Sequence, residues 1–339
     1  MKYSLDKIAK ELGISKSTVS LILNGHAAER RISAELEKTV KDFCDKVGYV
    51  PNINAKRASS KYVKNVGFLI NQNLLSTGHN PFSDQNTSEI TGGIVSAATN
   101  EGFRVTIQFC NEDTDELEIL EWLRNREIDG LIYYAYSFDE SWRKRFVEEN
   151  RHVVGIGIEP TGEISTVNID NVGIMKQLCN KIIQNGKKSF VYFAGYKDSY
   201  VSKQRLEGMT YALYENNIPF EDKNVVYADY SEEEAYKKAL AMNIDADVIV
   251  CANDDMAIGV IRALKEKGID VPKDVSVTGA DNIKIGEYFS PSLTTIDNMN
   301  AALGVCAFDE LFRLIKGGKA DDVVINSKII ERQSCILNL

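Results

Sequence analysis

The sequence predicts a small all-α helix-turn-helix domain followed by a two-lobed α/β body built on parallel sheets. Three observations carry that expectation. The first fifty residues hold three short amphipathic helix patterns punctuated by glycines. From Val66 onward, apolar strand-like runs alternate with longer helix patterns. Charge divides between the same two parts, leaving a basic head on an acidic body.

Ser4 is placed to cap a first helix whose Leu5, Ile8, Ala9 and Leu12 share a face, and Gly13 supplies the left-handed residue that ends it. Ile14-Ser15 makes a tight turn. Ser15 then caps a second helix, Lys16–Asn24, with Val19, Ile22 and Leu23 inward and Gly25 as its stop. Two short helices joined by a brief turn containing Gly form the helix-turn-helix pattern. A third helix opens at Ser33, buries Leu36, Val40, Phe43 and Val47, and closes at Gly48. In this motif the second helix enters the major groove. Its side chains toward the base edges are Lys16, Ser17 and Ser20, with Leu21 one position on. Lys donates to guanine O6 and N7, Ser contacts any base edge, and Leu packs on a thymine methyl. Ser15, Thr18 and Asn24 are placed for phosphates, where they set register without reading sequence. A helical hairpin with a merely polar outer face fits the same pattern.

The charges bear on both readings, since a solvated surface with chance clustering gives the same counts as a nucleic-acid-binding head. Residues 1–65 carry thirteen basic and seven acidic side chains, a net +6, and the remainder carries 27 and 42, a net −15. A polyanion would be repelled by most of the surface and would meet only the head.

In the body, strands are expected at Val66–Ile70, Val105–Phe109, Gly130–Tyr134, Val153–Ile158, Phe190–Ala194, Val248–Cys251 and Val275–Gly279. Helices are expected at Ser88–Asn100, Glu116–Arg126, Asp139–Asn150, Val172–Asn185, Ser202–Asn217, Glu232–Met242, Met256–Lys267 and Ala301–Ile315. Roughly 275 residues is long for one sheet, so two lobes with a cleft are expected, the ligand lying beyond the carboxyl ends of the strands.

Other classes find little support. A chain of 339 residues, 44% of them hydrophobic, is neither disordered nor fibrous. No run approaches the ~18 apolar residues of a membrane span, and the N-terminus interleaves charges where a signal peptide is apolar. A cytoplasmic protein without membrane contact is expected. Six cysteines lie far apart, with no C-x-x-C and no neighbouring histidine, and read as small buried hydrophobes. No metal or cofactor is implied. Nucleotide-binding, serine-hydrolase and zinc-protease signatures are absent, and the adjacent Asp254 and Asp255 diverge at a helix start, so an enzyme is not expected.

The string from Leu5 to Asn24 (LDKIAKELGISKSTVSLILN), followed by Arg31-Ile-Ser33 and Gly48-Tyr-Val-Pro-Asn52, resembles the headpiece of the LacI/GalR family of bacterial transcription regulators. The resemblance implies a headpiece over 1–50, a hinge helix and linker over 51–64, and a two-lobed effector and dimerisation domain over 65–339. It also implies that the hinge, at about Asn52–Ser60, enters the minor groove between paired subunits, with contacts from Asn52, Ala55, Lys56, Arg57 and Ala58. Ala58 stands where the family places an intercalating leucine, and a methyl group is a smaller wedge. Leu21 stands where an arginine is frequent, which implies a different operator base.

In the body, Ala194-Gly195, Arg205–Gly208, Ala252–Gly259, Asp274–Asn282 and Pro291–Ile296 are similar to the family's effector domain. That domain is periplasmic-binding-protein-like (type I). By the same match Arg205, Asn253 and Asp281 line the cleft and bind effector hydroxyls, a chemistry suited to guanidinium and carboxylate groups. Tyr230 would stack on a sugar ring. Phe82 would be the aromatic after the first strand, unless the helix pattern at Ser88–Ile94 moves that position to Asn86 or Thr87; the register of Asn71–Thr87 is open. Ala280, where an aromatic is usual, would enlarge the pocket wall. Read without the resemblance, Arg205 could pair with Glu207 or Asp198 on a surface helix, and Asn253 could be a helix cap.

The implied function is a sequence-specific DNA-binding regulator, a repressor more than an activator, that reads a pseudo-palindromic operator as a homodimer. A chain without a heptad tail after the Lys328–Arg332 strand points to a dimer over a tetramer. The implied effector is a carbohydrate or sugar derivative; a purine corepressor or a protein partner is the alternative. An exported solute-binding protein would match the body but leave the basic head unexplained.

Overall fold

The computed structural model describes residues 3–49, 61–71, 81–110, 114, 116–135, 140–149 and 151–338. They divide into two compact units on either side of Val63–Lys64.

The first unit is built on α1 (Leu5–Glu11), α2 (Lys16–Leu23) and α3 (Ala34–Lys46). Each begins with a serine whose hydroxyl accepts a backbone N–H three residues on: Ser4 from Lys7, Ser15 from Thr18 and Ser33 from Leu36. These bonds satisfy amides that a helix start otherwise leaves open, a contribution of about 1 kcal/mol each. Gly13 (φ +64°) and Gly25 (φ +80°) turn the chain through the left-handed region after α1 and α2. The core is Ile8, Ala9, Val19, Ile22, Ala27, Val40 and Cys44, with Leu12, Leu36 and Phe43 packed around it. Val47 is only half-buried, and Cys44 fills the inner face of α3 in its place.

The second unit has twelve strands among the described residues. In chain order they are β1 (Asn65–Asn71), β2 (Arg104–Cys110), β3 (Leu131–Tyr134), β4 (Val153–Ile156), β5 (Ser165–Ile169), β6 (Phe190–Ala194), β7 (Val225–Tyr227), β8 (Val248–Cys251), β9 (Ser276–Thr278), β10 (Thr295–Asp297), β11 (Asp322–Ile325) and β12 (Lys328–Ile330). The helices are α4 (Gln85–Asn100), α5 (Glu116–Arg124), α6 (Glu140–Glu148), α7 (Asn171–Gln184), α8 (Tyr200–Glu215), α9 (Glu232–Ala241), α10 (Asp254–Glu266), α11 (Lys284–Tyr288) and α12 (Asn300–Ile315).

One sheet runs β11-β5-β4-β3-β1-β2 and a second runs β7-β6-β8-β9. Every pairing in both is parallel, with Phe68, for example, opposite Ile107 on one side and Ile132 on the other. Helices cover the faces, so the central strands are buried on both sides and read as continuous apolar runs. The chain changes lobe after β5, after β10 and again between β11 and β12, where β12 pairs antiparallel with β10.

Strand β5 departs from that pattern. Ser165-Thr-Val-Asn-Ile169 is wholly buried yet largely polar, and hydrophobicity does not reveal it. Its polar groups are satisfied internally: Ser165 donates to Glu310 (2.6 Å), Thr166 to Asp322 (2.7 Å) and Asn168 to the Ile158 carbonyl (3.0 Å). Strands β7, β10 and β11 and the short helix α11 also fall outside the sequence expectation, each being too short or too exposed to carry a periodic signal.

Three helix pairs pack backbone to backbone at glycines. A methyl group on Gly304 of α12 would overlap the Ile90 carbonyl of α4, and one on Gly93 would overlap Ala301. Gly208 lies likewise on Val172, and Gly259 on Glu232. Among the described residues, no helix is long and apolar enough to cross a membrane, and no three His, Cys, Asp or Glu side chains are grouped to hold a metal ion.

Because α4 and α12 have no room to give at that crossing, Gly304→Ala should destabilise the body by about 1–3 kcal/mol. Urea unfolding followed by circular dichroism checks this: the midpoint should fall while the slope with denaturant stays constant.

Candidate functional site

On the first unit, α2 presents Lys16 and Ser17 to solvent, with Ser20, Leu21 and Asn24 half-buried beside them. Ser15 and Thr18 are joined through their hydroxyls (2.8 Å), and Asn24 donates to Ser20 (3.3 Å). Lys16 reaches back to Asp6 (2.8 Å) in an exposed ion pair. Such a pair is weak in water and exchanges readily for another acceptor. The other expected DNA contacts, Asn52, Ala55, Lys56, Arg57 and Ala58, lie outside the described residues.

On the second unit, a cavity of about 530 Å³ lies between the two sheets. Loops leaving the carboxyl ends of the strands in both lobes form it. Tyr134, Gly157 and Asn168 come from β3, β4 and β5, and Tyr230, Asn253 and Asp281 come from β7, β8 and β9. The starts of α4 and α12 close one side with Asp84, Asn86, Thr87 and Asn300.

Arg205 is the buried centre of this arrangement, 4% exposed. Its Nε donates to Asn171 Oδ1 (2.9 Å), one terminal nitrogen donates to the Ala252 carbonyl, and the other donates to Asn298 Oδ1 (3.3 Å) and stands 3.8 Å from Asp281. Asn298 donates in turn to one Asp281 oxygen, and Asn86 donates to the other (2.8 Å). Asn300 donates to Asn86 (2.6 Å). Since Asn86 and Asn300 belong to one lobe and Arg205 and Asp281 to the other, this chain of bonds ties the lobes across the cleft. A second tie runs from the Lys284 N–H to Gln85 Oε1 (2.7 Å). The surface pairing of Arg205 with Glu207 or Asp198 does not occur; Glu207 instead accepts from Tyr211.

Asp281 (φ 115°) and Asn282 (φ 54°) both lie in the left-handed region, a conformation that costs of order 1–3 kcal/mol per residue outside glycine. The surroundings hold them there. The Asp281 N–H donates to Ile296 (2.7 Å), Arg332 donates to Asn282 Oδ1 (2.7 Å), and the Ile283 N–H donates to Asp254 (2.9 Å). Asp254 also accepts from Thr295 (2.6 Å), and burial pushes its carboxyl up to about 7 against these two bonds. Asp254 therefore positions the loop and does not line the cavity. Burial likewise pushes Asp281 up to about 8, opposed by the Arg205 guanidinium and reinforced by the charge of Asp254.

Asn253 lines the cavity while acting as a cap: its Oδ1 accepts from the Met256 N–H (3.0 Å) at the start of α10, and its Nδ2 donates to the Tyr230 carbonyl (3.2 Å). Tyr230 (φ 58°) sets its ring edge-on to Tyr196, 5.9 Å between centroids, with its hydroxyl 3.5 Å from Ser199. A Cβ at residue 195 would run into that ring, so Gly195 makes room for it.

Two expectations are corrected. Phe82 lies on the 3-10 turn Pro81–Ser83, 41% exposed, with its ring against Phe109, and is not among the residues lining the cavity. The helix begins at Gln85, three residues before the apolar pattern, because Asp84 caps it by accepting the Thr87 N–H (2.6 Å); Asn86 and Thr87 thereby take the cleft position. Ala280 is fully buried in the core of the second lobe and forms no part of the cavity wall. Sequence reasoning also missed Asn171, Asn298, Asn300, Asp84 and Tyr134. The Asp170-Asn171 pair at a strand-to-helix turn was the one readable signal among them.

Comparisons with known proteins agree with the two-unit fold. The model for bacterial regulatory proteins of the lacI family matches residues 4–52, and that for a periplasmic binding protein-like domain matches residues 180–335. The HTH-type transcriptional regulator RegA of Clostridium saccharobutylicum is 29% identical, over 99% of this chain and 100% of its own. Among solved structures, the lac repressor dimer bound to operator and the anti-inducer ONPF superposes with a TM-score of 0.85 at 22% identity, covering 98% of this chain and 99% of that one. The complex of the transcriptional regulator CelR with cellobiose gives 0.73 at 22% identity, covering 98% and 100%.

The Asp281 carboxyl gives a pH signature. With its folded value raised above the ordinary carboxylate range, protonated Asp281 stabilises the fold fully at low pH, and that contribution is lost as the pH rises toward about 8. Denaturation midpoints measured across that window should fall in the parent protein and fall less in Asp281→Asn, which cannot ionise.

Proposed function

This chain belongs to the lacI family of bacterial regulatory proteins, whose members are DNA-binding transcription regulators and not enzymes, and on that premise we propose that it is a repressor whose operator affinity is set by a small hydroxyl-rich molecule held between its two lobes. The observation that carries this reading is the bonded chain Arg205–Asn298–Asp281–Asn86–Asn300, which crosses the cleft at the wall of a cavity large enough for one or two sugar rings.

A ligand in that cavity meets amide and carboxylate groups from both lobes at once. Its binding free energy therefore depends on how far the lobes are closed. A ligand shifts such an equilibrium only by its differential affinity for the two states, and here the differential contact is the set of bonds between the lobes. Arg205, Asp281, Asn253 and Tyr230 are the residues assigned to ligand binding. Tyr230 borders the cavity and is assigned the stacking role toward a sugar, and a carbohydrate or sugar derivative is the effector class that the polar lining favours.

At the DNA end, α2 is assigned to the major groove, with Lys16, Ser17, Ser20 and Leu21 toward the bases and Ser15, Thr18 and Asn24 toward phosphates. The hinge residues Asn52, Ala55, Lys56, Arg57 and Ala58 are assigned to the minor groove. Two copies of the chain read a pseudo-palindrome in the cytoplasm, and the net +6 of residues 1–65 supplies the attraction that the acidic body lacks.

Lys16→Ala should weaken specific operator binding by about 1–3 kcal/mol, read in a band-shift competition against nonspecific duplex. An unchanged specificity ratio would count against α2 as the reading helix. Asp281→Ala should keep operator binding and lose its response to effector; loss of both in the same titration would instead mean that the variant is misfolded.

A further inference from the structure

The charged groups of the cleft are unevenly engaged. Arg205 is the cation among the described residues that line it, and its guanidinium is committed to Asn171, Ala252, Asn298 and Asp281. On the acidic side, Glu232 is matched by Arg262 and Glu233 by Lys237. Two carboxylates are left. Asp84, at the start of α4 in the first lobe, gives one oxygen to the Thr87 N–H and keeps the other. Asp255, in the first turn of α10 in the second lobe, has no hydrogen-bond or ion-pair partner among the described residues and faces the water of the cavity.

Both carboxylates sit where a helix dipole favours negative charge. Enclosure by the protein, and then the like charges of Asp84 and Glu232, push Asp255 up to about 6. The Tyr134 ring borders the same space, and its hydroxyl has no hydrogen-bond partner among the described residues. A cavity with acceptor oxygens to spare on both lobes, aromatic rings at its border and no spare cation among the described residues that line it is suited to a positive ligand.

We propose that the cleft selects a ligand bearing a protonated amine on a hydroxylated frame, an amino sugar in its simplest form. Asp84 and Asp255 grip the amine from opposite lobes, and phosphorylated or carboxylated compounds are rejected. This rests on the reading of the cleft as the effector site and narrows it. An ammonium between the two carboxylates removes their mutual repulsion, so it binds the closed arrangement better than the open one and supplies the differential that a switch requires.

The test is calorimetric titration of the full chain with glucosamine, galactosamine and mannosamine, each beside its neutral, N-acetylated and 6-phosphorylated counterpart. The panel is repeated on Asp255→Asn and on Asp84→Asn, which keeps the helix cap. At least one amine should bind about tenfold or more tightly than its three counterparts, and each variant should erase most of that advantage. A phosphate that binds as well as its amine, an advantage that survives both substitutions, or no amine binding anywhere in the panel overturns the proposal. If neutral or phosphorylated sugars bind without preference for the amine, and Asp281→Ala abolishes that binding, the effector cleft stands and only its charge selection falls.

Discussion

A guanidinium buried to 4% exposure is the constraint around which the second unit is arranged. Taking such a charge out of water costs several kcal/mol unless hydrogen bonds and a counter-charge replace its hydration. From helix α8, Arg205 reaches partners on four other stretches of chain: hydrogen bonds at the start of α7 (Asn171), the end of β8 (Ala252) and the crossover (Asn298), with the Asp281 carboxyl 3.8 Å away on its loop. Each stretch is thereby located with respect to the others. The left-handed backbone at Asp281 and Asn282 persists because the same loop is held by Asp254, Arg332 and β10.

Parallel topology makes that convergence possible. In both sheets all strands point the same way, so their carboxyl ends deliver loops to a common space, and three crossings bring the two sets of loops together. The polar residues then sit at strand ends and helix starts, where they also do structural work. Asn253 caps α10, Asp84 caps α4 and Asn171 opens α7. Capping fixes the side chain's rotamer, and a fixed rotamer presents its remaining valences to the cavity in one direction. The pairing of glycine with backbone at the α4–α12 crossing adds to this rigidity on the side where Asn86 and Asn300 meet.

The first unit solves a different problem. A core of seven buried side chains among the described residues is small, and three serine caps and the left-handed glycines do much to define its helices. Its outer face carries basic and hydroxyl groups held by exposed or half-buried local partners. Lys16 on Asp6 is an exposed pair that a better acceptor displaces. Charge is thus divided along one chain: the basic head attracts a polyanion and the acidic body repels it.

Much of this was legible in the residues themselves. Period and punctuation located the three head helices, because caps and stops are local and each is carried by one or two residues such as Ser15 and Gly25. The strands β1, β6 and β8 were legible for a similar reason: burial on both faces leaves an uninterrupted apolar run. Resemblance pointed to Arg205, Asn253, Tyr230 and Asp281 as cleft residues, and they are there. What only tertiary structure decided is everything set by a partner far along the chain. The polar strand β5 is stable because of Glu310 and Asp322, and the placement of Asn86 in the cleft, with Phe82 turned out onto Phe109, follows from where Asp84 starts its helix. The burial of Ala280 away from the cavity depends on the packing of a whole lobe. Local geometry is written in neighbouring residues, whereas a hydrogen bond between positions 195 apart, as between Asn86 and Asp281, exists only once the chain has folded back on itself.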